Sequence, residues 1–337
     1  MSWFEDLMGF RESSPTDVRT RIRVLDGRMR SEANGKTFAC GELEIPSLRE
    51  LRARARRATP GQMRVRELVS GVQELHRDRR DAHCALFQVA SQFNLLEMAS
   101  PGWTPEHGVG IYEDDHTQGP ACAIAAGAGT IYRNYFVEVR GQVGQSYANQ
   151  IDCLDDLGQA LGNGERNRLW EMRNGYALAT RNGLERLRER LWGASESELD
   201  QLRQLLRVGW QRNTEVTLPG AGGHLVDQLY CSALPVAYCG SLPKRLWEPF
   251  ARLVLEAAYE ATLCAAIAGG HRRTYLTLLG GGAFGNEPSW ILAAIERALN
   301  LYGSAAEMDV VIVSHTRSNP AVQRMIERSA ALPAQGR

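Results

Sequence analysis

Three adjacent acids, Glu113, Asp114 and Asp115, stand directly before Gln118, Gly119 and Pro120. Neighbouring carboxylates repel and prefer water, so such a triple is either a solvated turn or a set of catalytic groups. Its setting favours function, because aromatic and Gly/Pro positions flank it and a small apolar stretch, residues 120–129, follows at once. A second stretch, YLTLLGGGAFGNEPSW at 275–290, reads as a buried strand, a glycine loop and a helix opening with Pro288. Glycines let a backbone turn so that its N–H groups face an anion, and a helix N-terminus favours the same charge, so this stretch is a candidate diphosphate cradle. Phe284, inside the loop, is placed to cover a ribose or a base. The third stretch is the polar group Ser91, Gln92, Asn94 and Glu97 around Phe93, directly after the apolar run 84–90.

Other chemistries find less support. His107, His116 and Cys122 match no common zinc spacing, so no metal is expected. Ser232 is not in a GxSxG turn, and GGGAFG is neither GxxxxGK[ST] nor a dinucleotide fingerprint with a following βαβ unit and a ribose-binding acid.

The elements that must position these stretches alternate in type. Residues 36–43 and 84–90 read as strands, the second central in its sheet. Ser47 caps an arginine-rich helix carrying Arg49, Arg52, Arg54, Arg56 and Arg57, whose charges read as a solvated face rather than a polyanion site. Residues 63–76 look like a helix or a helix and turn. Residues 100–119, with two Pro and several Gly, read as an ordered loop covering a ligand. From 143 to 207 leucines recur at helical spacing among dense charges. An apolar run at 229–238 containing Pro235, a long helix at 244–268, strands at 275–279 and 308–314, and helices after Pro288 and Pro320 complete the pattern. Strands alternating with helices argue for an α/β sandwich around a mostly parallel or mixed sheet.

Composition narrows the class. A chain of 337 residues with 44% hydrophobic and 23% charged residues is an ordinary globular protein, and 39 basic against 39 acidic residues give no field favouring nucleic acid or an anionic membrane. Its seven cysteines lack a CxxC pair and read as reduced thiols. No apolar run reaches the roughly 20 residues of a spanning helix. A soluble cytoplasmic protein is expected, with export by a signal-less route left open.

With these motifs in hand, the chain resembles the macrodomain family, three-layer α/β/α modules that bind ADP-ribose. SQFN at 91–94 is similar to the family's asparagine loop near the distal ribose. QGPACAIA at 118–125 resembles the glycine-rich turn and helix that take the diphosphate, and LLGGGAFG at 278–285 resembles the second diphosphate loop with its aromatic over the distal ribose. ASQFNLLE, the DDHTQGPACAIAAGAGTIYRNYF run and CSALPVAY together resemble an atypical branch, including bacterial effector hydrolases that remove ADP-ribose from arginine of modified ubiquitin. The resemblance implies a lead-in at 1–35, one domain at 36–332 with a helical insertion around 146–211, and a polar tail at 333–337. It implies substrate contacts from Gln92, Phe93, Asn94, Gln118, Gly119, Pro120, Ala121, Cys122, Gly281, Gly282, Ala283, Phe284, Gly285 and Asn286, with Glu42 in the position of the family's adenine-contacting acid. The family's usual pair of asparagines is replaced by Gln92 and Asn94 in a different order.

Asp114 and Asp115 are then the candidate catalytic carboxylates. Either would stabilise an oxocarbenium-like state at the ribose and orient or deprotonate water, and carboxylates also pair with a guanidinium. The implied activity is an ADP-ribosyl hydrolase acting on ADP-ribosylarginine, with ADP-ribosylated protein such as ubiquitin as partner and no cofactor. A non-catalytic reader of ADP-ribose is the alternative, and an interaction protein on a degenerate scaffold is a third class.

Overall fold

A computed structural model describes residues 2–56 and 59–331. The expected sandwich is present. Its central sheet contains β1 (Glu42–Glu44), β2 (Gly61–Val69), β3 (Leu86–Ala90), β4 (Gly209–Glu215), β5 (Leu225–Cys231), β6 (Arg273–Leu276) and β7 (Ala305–Ser314), in the spatial order β1-β4-β5-β3-β6-β7-β2. Pairing is parallel from β5 across to β2, whereas β4 runs antiparallel to both β5 and β1, so the sheet is mixed.

Strand alternation feeds two cores. Leu86, Leu276, Val310 and Ile312 pack in the larger core with α1 (Leu48–Ala55), α4 (Lys244–Ala268) and α5 (Pro288–Tyr302). Phe87, Tyr275 and Val311 belong to a second core that includes Leu75 and Ala125. That opposite layer contains α2 (Gln118–Ala125) and α3 (Gly127–Tyr135). The last helix, α6 (Pro320–Ala331), packs on α5.

Two stretches differ from the sequence reading, each for a local reason. Residues 63–76 are not one helix: β2 is an edge strand, followed by a short helix at Val72–Arg77. Within β2, Met63 is buried while Gln62 and Arg64 are exposed, a two-residue alternation that belongs to a half-covered strand. The strand expected at 36–43 is split at Gly41, whose φ of +72° turns the chain. Thr37–Ala39 joins a small antiparallel sheet and β1 joins the main one. Residues 2–35 fold as two helices, Trp3–Met8 and Pro15–Arg21, and two strands. Their Phe4, Met8, Val18 and Met29 pack in one core with Ala128 and Ile131 of α3. The stretch 146–211 holds helices Asp155–Leu161, Arg181–Trp192 and Glu196–Arg203, a hairpin of Trp170–Arg173 and Tyr176–Ala179, and the start of β4. Arg57 and the tail at 333–337 lie outside the described residues.

Candidate active site

At the carboxyl ends of β3, β5 and β6, where open α/β sheets bind ligands, a cleft encloses about 690 Å³ of space open to solvent. Two backbone cradles face it.

The first is the N-terminus of α2. Gln118 seats it with its side chain, accepting from the Ala90 amide at 2.9 Å and donating to the Gln88 carbonyl at 2.9 Å. Gly119 must be glycine, because a Cβ there would stand 2.1 Å from the Ala90 carbonyl oxygen and 2.3 Å from Oε2 of Glu97. Thr117 supplies no side-chain cap to this helix, so its first amides are available to an anion.

The second cradle is the loop after β6, pinned at both ends. Tyr259 of α4 donates to the Thr277 carbonyl (2.7 Å) and accepts from the Leu279 amide (2.8 Å). Gln88 accepts from the Thr277 amide at 3.2 Å. At the far end Asn286 donates to the Leu234 and Gly280 carbonyls at 2.8 and 3.3 Å. Between these anchors the amides of Gly282, Ala283 and Phe284 donate to no acceptor among the described residues. Gly280 needs its freedom, since its φ is +72° and a Cβ would meet that of Ala233 at 2.4 Å. The Phe284 ring lies 5.4 Å from Tyr176 and 5.6 Å from Tyr238, an aromatic wall shared with the Trp170–Arg173/Tyr176–Ala179 hairpin. Tyr176 is itself fixed by its hydroxyl, which donates to the Met98 carbonyl at 2.6 Å.

The acidic loop forms the remaining side. Half-buried Asp115 lines the cleft, with Oδ1 accepting from the Thr117 amide at 2.9 Å. Asp114 is exposed and outside the lining, while exposed Glu113 accepts from the Trp3 amide at 2.9 Å. What holds this loop is Glu12. Its carboxylate accepts from the amides of Val109 (2.9 Å) and Gly110 (2.7 Å) and from the Tyr135 hydroxyl (2.6 Å). A Cβ at Gly108, whose φ is +86°, would come within 2.5 Å of that carboxylate. Burial pushes the Glu12 carboxyl above its ordinary range, against those three hydrogen bonds.

Sequence reasoning also passed over Glu97 as a site residue. It lines the cleft yet is 4% exposed, and neither carboxyl oxygen accepts a hydrogen bond from the described residues; Oε1 is sealed from solvent. Burial pushes this carboxyl well above its ordinary range; Arg133 opposes the shift and Asp115 adds to it. Arg133, 1% exposed, stacks 3.5 Å from the centre of the Tyr230 ring. Its Nε donates to the Leu95 carbonyl at 3.2 Å, and its Nη2 donates to Thr130 at 2.9 Å. Leu95 has a φ of +64°, strained for a bulky residue, on the loop that carries Glu97. The signal was present in the sequence, as one acid in the apolar run Leu95, Leu96, Glu97, Met98 just past the central strand.

Of the residues expected from sequence, Gln92, Asp115, Gln118, Gly119, Pro120, Gly282, Ala283 and Phe284 line the cleft. Gln92 also accepts from the Met98 amide at 2.8 Å, shaping the loop from inside. Phe93 and Cys122 are buried in the core, and buried Asn94 donates to Gln150 at 2.8 Å. Ala121, Gly281, Gly285 and Asn286 adjoin lining residues without lining the cleft, and Glu42 sits on the edge strand β1, paired with Arg212 of β4. Among the described residues no cluster of His, Cys, Asp or Glu is arranged to hold a metal ion, and no helix is long and apolar enough to cross a membrane.

No family model matches the chain, and no curated protein matches it in sequence. Among solved structures it is similar to poly(ADP-ribose) glycohydrolase from Thermomonospora curvata, at 14% identity over 94% of this chain and 96% of that one, with a TM-score of 0.46. It is also similar to poly(ADP-ribose) glycohydrolase from Deinococcus radiodurans in complex with ADP-ribose, at 14% identity over 86% and 94% of the two chains, with a TM-score of 0.47.

Proposed function

We propose that the cleft binds ADP-ribose and hydrolyses its bond to a modified protein, with arginine as the acceptor residue. The carrying observation is the position of Asp115, which lines the same cleft as the two sets of free backbone amides. A ligand whose diphosphate occupies those amides and whose ribose stacks at Phe284 would bring its anomeric carbon toward this carboxylate. Asp115 then takes a proton from water as the water attacks an oxocarbenium-like ribose. An acid here also suits a guanidinium leaving group, which pairs with carboxylates. Asp114, exposed outside the lining, has no such part.

The test is release of ADP-ribose from arginine-, glutamate- and serine-linked protein by the wild type, Asp114→Ala and Asp115→Ala. Arginine-selective release, lost only in Asp115→Ala while ADP-ribose still stabilises that variant, is the expected result. ADP-ribose at 100 times its dissociation constant raises stability by about 2.7 kcal/mol, which a thermal shift detects. Binding without release from any linkage leaves a reader of the modification. Absence of both leaves an interaction scaffold.

A further inference from the structure

A buried carboxyl without hydrogen-bond partners is costly, and a fold retains one most readily where the group has work to do. Glu97 is such a group. Its Oε2 is packed against the backbone of Gly119, at the mouth of the α2 cradle, and its Oε1 is sealed inside. The charged and titratable groups that interact with it come from every surrounding element: Arg133 of α3, Asp115 and Tyr112 of the acidic loop, Cys122 of α2, Tyr230 of β5 and Tyr176 of the hairpin. Of these only Arg133 is a cation. Its guanidinium is spent on Tyr230, Leu95 and Thr130, with Nη1 unpartnered, so among the described residues no direct ion pair neutralises the acid.

We propose that Glu97 is a second catalytic carboxyl, the acid that complements Asp115. The inference rests on the hydrolase reading above. The steps balance as follows. The bond from the anomeric carbon to the arginine nitrogen breaks with its electron pair going to nitrogen, so the substituted guanidinium departs as a neutral guanidine. Water adds to the anomeric carbon and its proton passes to the Asp115 carboxylate. Protonated Glu97 gives its proton to the guanidine, which leaves as arginine's ordinary cation. Proton exchange with solvent then restores a charged Asp115 and a neutral Glu97. A pair of carboxyls, one taking a proton from water and the other giving one to the leaving group, is the recurrent arrangement for cleaving such a bond. Arg133 is a positioning residue: by holding the strained Leu95 carbonyl it fixes the turn that aims Glu97.

Two measurements test this, both on the full chain. In the first, Glu97→Gln keeps the shape and removes the transferable proton. The expected loss is about 10²–10⁴-fold in kcat with KM little changed, together with disappearance of the alkaline limb of the pH profile. A variant within threefold of wild type, or one that keeps that limb, overturns the assignment. In the second, carboxyl ¹³C resonances of glutamate-labelled protein are followed with pH. One resonance, absent from Glu97→Gln, should hold its proton at a pH where exposed glutamates have ionised. If the Glu97 resonance ionises with those glutamates, the acid role is overturned whatever the activity. If it holds its proton but the wild type releases nothing from any linkage, the hydrolase reading fails, and the acid role fails with it.

Discussion

Two buried acids, one on the long helix α4 and one beside the cleft, have met opposite fates. Glu260, on α4, is 1% exposed and fully engaged: Arg52 reaches both of its oxygens (2.6 and 2.9 Å), Arg297 donates at 2.7 Å and the Tyr302 hydroxyl at 3.0 Å. Arg52 continues to Asp200 at 2.7 and 2.8 Å, tying the Glu196–Arg203 helix to α1 and α4. Burial pushes Glu260 up, yet the two arginines hold it below the ordinary range. Among the described residues Glu97 has one arginine in its neighbourhood and no hydrogen bond to its carboxyl, and it is shifted the other way. The contrast separates a charge used as a structural joint from a carboxyl left without partners among the described residues beside a cleft.

The largest expected effect falls on the cleft: Asp115→Ala should lower ADP-ribose release by about 10²–10⁴-fold without lowering the unfolding midpoint. Glu260→Ala should do the reverse. It removes the buried carboxylate shared by half-buried Arg52 and Arg297, which among the described residues keep only Asp200 and Glu196 as acidic partners, and should cost about 1–3 kcal/mol in denaturant titrations, with ADP-ribose binding retained by the folded fraction. A Glu260→Ala variant as stable as wild type would remove the distinction between the two acids.

The pH dependence of stability sharpens the comparison further. Glu97 binds its proton more tightly in the folded chain than in the unfolded one, so its contribution falls as pH rises through and above the ordinary carboxyl range. Glu260 has the opposite sign: its contribution is present above the ordinary carboxyl range and is lost as pH falls toward its depressed folded value. Urea midpoints measured from acid to neutral pH should therefore rise less steeply in Glu260→Gln, and more steeply in Glu97→Gln, than in wild type. The smallest stability effect belongs to Gly282→Ala. A Cβ there meets nothing within 4 Å, so stability should change by less than about 0.5 kcal/mol while ADP-ribose affinity weakens. Gly119→Ala, which collides with the Ala90 carbonyl, should cost about 1–3 kcal/mol as well as binding.

The sequence disclosed most where one element carried its own signal. The long helix is read to its ends as Lys244–Ala268, and the central strand falls within two residues of Leu86–Ala90. β2 was misread because its outward arginines fit the polar face of a helix as well as that of an edge strand, and only pairing with β7 decides between them. The glycine loop and Asp115 were visible because glycine and clustered acids are conspicuous. Glu12 was not, since its role depends on a contact 97 positions away with Val109. Glu97 stands out in the sequence as a lone acid in an apolar run, but that it lacks partners among the described residues is a property of the fold that no spacing in the chain records.

Gln118 has one more consequence. With its side chain bonded to the Ala90 amide and the Gln88 carbonyl, it occupies the place of a neighbouring strand, so the end of the central strand is sealed by the helix that faces the cleft. Hydrogen exchange at Ala90 then reports whether α2 is seated, and α2 cannot swing away as a loop would. Its release requires breaking bonds to the sheet, which places opening of this wall on the timescale of sub-global unfolding rather than of loop motion.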